Sequence, residues 1–149
     1  MDINKLDKFV NDLKFHHIGY VCKSINDYKN NFLLLSNQDD FDFIYDDIEQ
    51  NVKAGFIKLR GNIYVELLEV LDENLYSPVA NFTKKNRSGY HHICYETDSF
   101  MEAIIFLKKH SFRLVSKTKN GFQKREVAFF IPKRNPDGPL LEIVSSVMS

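Results

Sequence analysis

Two histidine pairs, His16-His17 and His91-His92, and two glutamates set in apolar runs, Glu66 and Glu142, are the residues of this 149-residue chain whose types can do chemistry together. In an extended strand successive side chains face opposite sides, so each glutamate points away from its branched apolar neighbours. A carboxylate on a covered sheet face is strongly disfavoured unless a cation or hydrogen-bond donors meet it. A shared divalent ion is one such cation. Two neutral imidazoles and two carboxylates suit Zn, Ni, Co, Mn or Fe in the +2 state, and the carboxylate charges balance the ion. Coordination positions left open to water or substrate would make the site catalytic rather than structural. Alternation does not choose within each histidine pair. His17 shares a face with Phe15, Gly19 and Val21, and His92 with Tyr90 and Cys94, whereas His16 and His91 face the other way as packing or supporting groups.

Any one of these residues reads as well as a solvated glutamate or a histidine satisfied by a carbonyl; their recurrence carries the argument. Phe15-His16-His17-Ile18-Gly19-Tyr20-Val21 returns as Tyr90-His91-His92-Ile93-Cys94-Tyr95-Glu96, an offset of 75. Val65-Glu66-Leu67-Leu68 returns as Leu141-Glu142-Ile143-Val144, an offset of 76. Ala54-Gly55-Phe56-Ile57 matches Ala128-Phe129-Phe130-Ile131 at an offset of 74 when the alanines are aligned. Three segments in one register indicate duplication, and two units of this length are too few and too long for a solenoid.

The elements that must position these residues follow the same repeat. Period-two runs predict strands over 15–22, 40–46, 52–59 and 63–71, with a helix from the Ser24/Asp27 cap to about Leu35. The second half repeats this with a strand at 89–97, a helix from the Ser99/Glu102 cap to about His110, and strands at 112–118, 125–132 and 139–145. Each half reads βαβββ. The expected organisation is α+β, one domain over 1–149, with modules at 14–74 and 89–146. Ser77-Pro78 starts a short helix over 78–86 within the connecting segment 75–88. Ile3, Leu6, Phe9, Val10 and Leu13 place an amphipathic helix over 1–13.

Composition narrows the function classes. With 44% hydrophobic residues the chain has the apolar content of a globular domain. Lys+Arg and Asp+Glu are 20 each, and the basic residues are scattered, which argues against a nucleic-acid partner. The longest apolar run, Phe32–Leu35, is far short of a membrane span, and the first residues are unlike a signal peptide; a cytoplasmic protein is expected. Cys22 and Cys94 lie in apolar strand-like runs and read as buried thiols, neither nucleophile nor ligand. Lys124, Arg125, Lys133 and Arg134, near turns, read as solvated surface.

Over about residues 14–146 the chain resembles the vicinal oxygen chelate superfamily, which includes glyoxalase I, methylmalonyl-CoA epimerase, extradiol dioxygenases and bleomycin-resistance proteins. It is most similar to the epimerase branch, through His16-His17-Ile18-Gly19, Val65-Glu66-Leu67-Leu68-Glu69, Ser77-Pro78-Val79-Ala80, Gly89-Tyr90-His91-His92-Ile93, Ala128-Phe129-Phe130 with Pro132-Lys133, and Leu140-Leu141-Glu142. The resemblance implies two βαβββ modules forming a curved mixed sheet around a metal, with His17, Glu66, His92 and Glu142 as ligands. It implies a proton shift beside a metal-polarised carbonyl, on an acyl-CoA or a glutathione-type thioester or hemithioacetal, in a homodimer. Some epimerases carry a further acid/base glutamate on the third strand. Ala54 stands there in this chain, with Glu49 off register, so Glu142 is the first candidate base and Glu66 the second. Epimerases also tend to have a Gly-Gly loop before the seventh strand, where Lys119–Arg125 stands here. A glyoxalase I-like lactoylglutathione lyase is the alternative, which Asn135-Pro136-Asp137-Gly138 also resembles. A non-catalytic small-molecule-binding or resistance protein is the alternative from another class. An extradiol dioxygenase fits less well, because that chemistry uses one carboxylate where this chain offers two.

Overall fold

Val65 and Leu67 face one side of a strand and Glu66 and Leu68 the other, and this alternation decides how the first half of the chain packs. The computed structural model describes residues 12–80, 88–134 and 139–147. Its contacts divide into two units, His17–His92 and Met1–His16 with Ile93–Ser149. The division falls inside strands β1 (Lys14–Val21) and β5 (Gly89–Thr97).

In the unit His17–His92 the strand order is β2 (Phe43–Asp47), β3 (Val52–Leu59), β4 (Ile63–Val70), then β1. β2, β3 and β4 are antiparallel neighbours, whereas β1 runs parallel to β4 with Gly19 opposite Glu66, so this is a mixed sheet. Parallel neighbours need a crossover, and the segment after β1 supplies it. Ile57, Val65 and Leu67 pack with Cys22 and Ile25 and with Tyr28, Phe32 and Leu33 of the crossover. On the opposite face Val21, Ala54, Leu68, Val52 and Val79 form a second apolar cluster that Tyr45 borders.

The crossover differs from the expected single helix. Ser24 caps it as expected, accepting from the Asp27 N–H at 3.3 Å, but it forms two short pieces, α1 (Ile25–Tyr28) and α2 (Asn30–Leu33). The Lys29 carbonyl accepts from both Phe32 and Leu33 N–H where the ladder is interrupted. Asn30 and Asn31 follow, side chains that compete for backbone hydrogen bonds and weaken a helix.

In the other unit the order is β5, β8 (Leu140–Ser145), β7 (Val127–Pro132), β6 (Phe112–Thr118), with β6, β7 and β8 antiparallel. Helix α3 (Phe100–Lys109) buries Phe100, Ala103, Ile104 and Leu107 against Ala128, Phe130 and Ile143. The expected Ser99 side-chain cap is not made; Thr97 Oγ1 instead accepts from the Ser99 N–H at 2.9 Å. Arg125 is not solvated surface as expected. It is 7% exposed, paired with Glu96 at 3.1 Å, and its guanidinium lies 5.0 Å from the Phe122 ring centre. Lys124, Lys133 and Arg134 are exposed.

The two ladders correct one part of the repeat. Phe56 pairs with Glu66 and Phe129 with Glu142, so the third and seventh strands correspond at an offset of 73, not at the 74 that aligns the alanines. A one-residue change of register exchanges the faces of a strand. Ala54 accordingly lies in the cluster away from the crossover helices, whereas Ala128 packs under α3.

Both cysteines are buried, as expected. Among the described residues no helix is long and apolar enough to cross a membrane. The expected helix over 1–13 lies almost wholly outside the described residues, as do residues 81–86 of the connecting helix and Asn135–Gly138.

Candidate metal centre

The parallel β1–β4 register sets Gly19 beside Glu66 and His17 beside Tyr64, so one face of the unit His17–His92 carries His17, Gly19 and Glu66 together. His92, from the start of β5, completes a group of three. His17 Nε2 lies 3.0 Å from His92 Nε2. Glu66 Oε1 lies 3.2 Å from His92 Nε2 and 3.5 Å from His17 Nε2. All three are buried, His17 at 0%, His92 at 2% and Glu66 at 3% exposure, so water does not separate these groups from one another.

Gly19 is what admits His92. A Cβ built on Gly19 would run into the imidazole at Cε1 and Nδ1, so any side chain there would require the ring to move. Behind His17, the Phe56 ring stands edge-on with centroids 5.2 Å apart. His91, expected to support rather than to ligate, brings its Nδ1 to 2.8 Å from His92 Nδ1. Second partners of this kind commonly orient ligating imidazoles. Tyr45 donates its hydroxyl to Glu66 Oε2 at 3.2 Å.

Charge favours the same grouping. Burial pushes the Glu66 carboxyl up, but the neighbouring charge of His17 and the hydrogen bonds from His17 and His92 outweigh it and hold Glu66 well below the usual carboxylate range. The separations also fit a small divalent ion. With ligand bonds of about 2.1 Å, neighbouring ligand atoms are about 3.0 Å apart at right angles and about 3.4 Å apart at tetrahedral angles. Two of the observed distances, 3.0 and 3.2 Å, fall in that range, and the third, 3.5 Å, lies just beyond its upper end. Two nitrogens and a carboxylate oxygen are a suitable donor set for the expected metals.

Glu142, the fourth expected ligand, lies on β8 in the other unit, 3% exposed and opposite Phe129. Tyr45 and the glycine requirement at position 19 were not singled out as site features from the sequence. The faces of β1 and β4 were readable from alternation, but the Tyr45 contact depends on how β2 registers against β3.

The fold and this centre define the class. Residues 16–129 match the model of the Glyoxalase/Bleomycin resistance protein/Dioxygenase superfamily, and the chain belongs to that family. Among relatives, it is 39% identical over 97 residues to human mitochondrial methylmalonyl-CoA epimerase, covering 64% of this chain and 53% of that one. It is 37% identical over 101 residues to the ethylmalonyl-CoA/methylmalonyl-CoA epimerase of Cereibacter sphaeroides, covering 66% of this chain and 72% of the relative. The chain spans about half the length of the mammalian relatives it matches, at 53% for the human one. Among solved structures, Mycobacterium tuberculosis methylmalonyl-CoA epimerase superposes with a TM-score of 0.76 at 18% identity, covering 90% of this chain and 88% of that one. A hypothetical protein from Bacillus halodurans gives the same TM-score, 0.76, at 30% identity, covering 92% and 96%. A variant of the Streptomyces coelicolor epimerase, solved with 2-nitronate-propionyl-CoA, gives 0.76 at 23% identity, covering 91% and 98%. The glyoxalase-like fold of paired βαβββ modules is thereby established for this chain.

Proposed function

We propose that this protein is a divalent-metal-dependent isomerase that moves a proton beside the carbonyl of an acyl-CoA thioester, in the manner of a methylmalonyl-CoA epimerase. The observation that carries the reading is the buried convergence of His17, Glu66 and His92 within 3.0 to 3.5 Å, in a chain whose relatives include named epimerases. In this reading His17, Glu66, His92 and Glu142 hold the ion. When bound, it supplies Lewis acidity that offsets charge developing on a carbonyl oxygen.

The chain's own groups do the rest. Phe56 and Gly19 keep the two imidazoles in place, and the buried setting strengthens every electrostatic contact within it. Glu142 is our first candidate for taking and returning the proton and Glu66 the second, a carboxylate at the ion being able to act as a proton carrier. Ala54 offers no carboxyl for the task.

Metal analysis of the purified chain tests the first step: one divalent ion per chain is expected, reduced by Glu142→Gln and by His17→Ala. Solvent deuterium entering methylmalonyl-CoA tests the second, with turnover of the glutathione–methylglyoxal hemithioacetal as the comparison. Turnover of the hemithioacetal alone would make the protein a glyoxalase I-like lyase. A chain that holds no metal and exchanges neither substrate would be a binding protein, and the proposal would fail.

A further inference from the structure

The Glu66 carboxylate has two oxygens with different surroundings. Oε1 is the atom near both imidazoles, at 3.2 and 3.5 Å, whereas Oε2 accepts from the Tyr45 hydroxyl at 3.2 Å. Tyr45 is placed by the sheet rather than by the site. It sits opposite Ala54 in the β2–β3 ladder, and the small Ala54 side chain leaves the phenol ring room on that face. Its ring lies nearly parallel to Phe56, with centroids 6.3 Å apart and planes 20° from coincidence. Phe56 in turn stacks on Phe43 at 4.6 Å and stands edge-on to His17. The hydroxyl is therefore delivered to Oε2 by the strand register and by a run of packed rings.

We propose that Tyr45 is a positioning residue that holds Glu66 as a ligand through one oxygen, Oε1. This rests on the metal reading above. A carboxylate with both oxygens free can swing to bind an ion through two, occupying a position that a substrate oxygen would otherwise take. A hydrogen bond to Oε2 opposes that swing and fixes the direction of Oε1. Partners of this kind commonly change metal affinity 10–100-fold when removed.

The test uses the full chain and Co(II) as the probe, with the dissociation constant measured by chelator competition and the coordination by the visible spectrum. Tyr45→Phe deletes only the hydroxyl and keeps the ring against Phe56. Tyr28→Phe is the control, because the Tyr28 hydroxyl bonds to Tyr20 at 2.9 Å on the crossover side. The expected result is a dissociation constant about 10–100-fold higher for Tyr45→Phe with a changed Co(II) band, and neither change for Tyr28→Phe. An unchanged constant and spectrum in Tyr45→Phe, beside a wild type that binds Co(II), would overturn the assignment and leave the metal reading standing. Equal weakening in both variants would also overturn it, as general loosening. A wild type that binds no Co(II) would remove the metal reading itself, and this inference with it.

Discussion

The residue that most constrains the site is one that touches no ion. Gly19 lies against the His92 imidazole where even a methyl group has no space, and it sits in a strand, where glycine is otherwise unfavourable. Its retention there is explained by the ring it admits. Gly19→Ala is expected to displace His92 and weaken metal binding at least 10-fold, by analogy with the loss of an orienting partner. Equilibrium dialysis against Zn(II) checks this, and unchanged binding would show that the ring has slack. The proposed ligands stood out in the sequence as chemically conspicuous residues within apolar runs, and the family resemblance chose within each histidine pair. The glycine was visible only as the small residue of the repeat, since its meaning depends on a ring 73 residues away.

At the scale of elements, alternation gave the eight strands and the long helix nearly at their observed bounds. Period two records which side of a strand is buried, and the capping pair at Ser24 records where a helix can start. What alternation could not give is local competition. The break at Lys29 follows from the asparagines after it, and at Ser99 the side-chain cap is not made although the Thr97 hydroxyl accepts from the Ser99 N–H. Arg125 was misread because a basic residue near a turn gives no sign that Glu96 and Phe122 wait beside it. The repeat alignment slipped by one residue because Ala54 and Ala128 look alike while facing opposite sides of their sheets. One consequence can be measured directly. Ser24→Ala removes the bond to the Asp27 N–H and should cost about 1 kcal/mol in urea unfolding. A loss of less than about 0.3 kcal/mol would contradict the cap.

For the whole molecule, metal and protons should govern stability together. A ligand present at a hundredfold excess over its dissociation constant stabilises by about 2.7 kcal/mol. For a chain of this size that corresponds to a fall in Tm of about 5–10 °C on chelation, reversed by restoring the ion. Differential scanning calorimetry with and without chelator measures it. The pH dependence of the metal-free protein follows from two groups. Glu66 is held below its ordinary range, so its contribution is present in full above that range and is lost progressively as the pH falls below it, through the lowered folded-state value. Cys22 is pushed the other way, up to about 12 from 9.0, by burial first and then by Glu69 and Asp27. Its contribution is complete below about pH 9 and is lost as the pH rises through about 12. Urea unfolding across pH should therefore give a plateau that declines at both ends. Cys22→Ala should flatten the alkaline decline.

The glycine beneath His92 also bears on how the two halves have diverged since the duplication. The repeat places Cys94 where Gly19 stands in the first half. The second half therefore carries a side chain at the position where the first half has none. Exchange of the two modules by circular permutation would keep the chain's composition and the four residues proposed as ligands, yet the modules differ at this position. A single hydrogen atom in place of a side chain distinguishes the two halves at this position, and residue 19 is where any related sequence can be inspected for it.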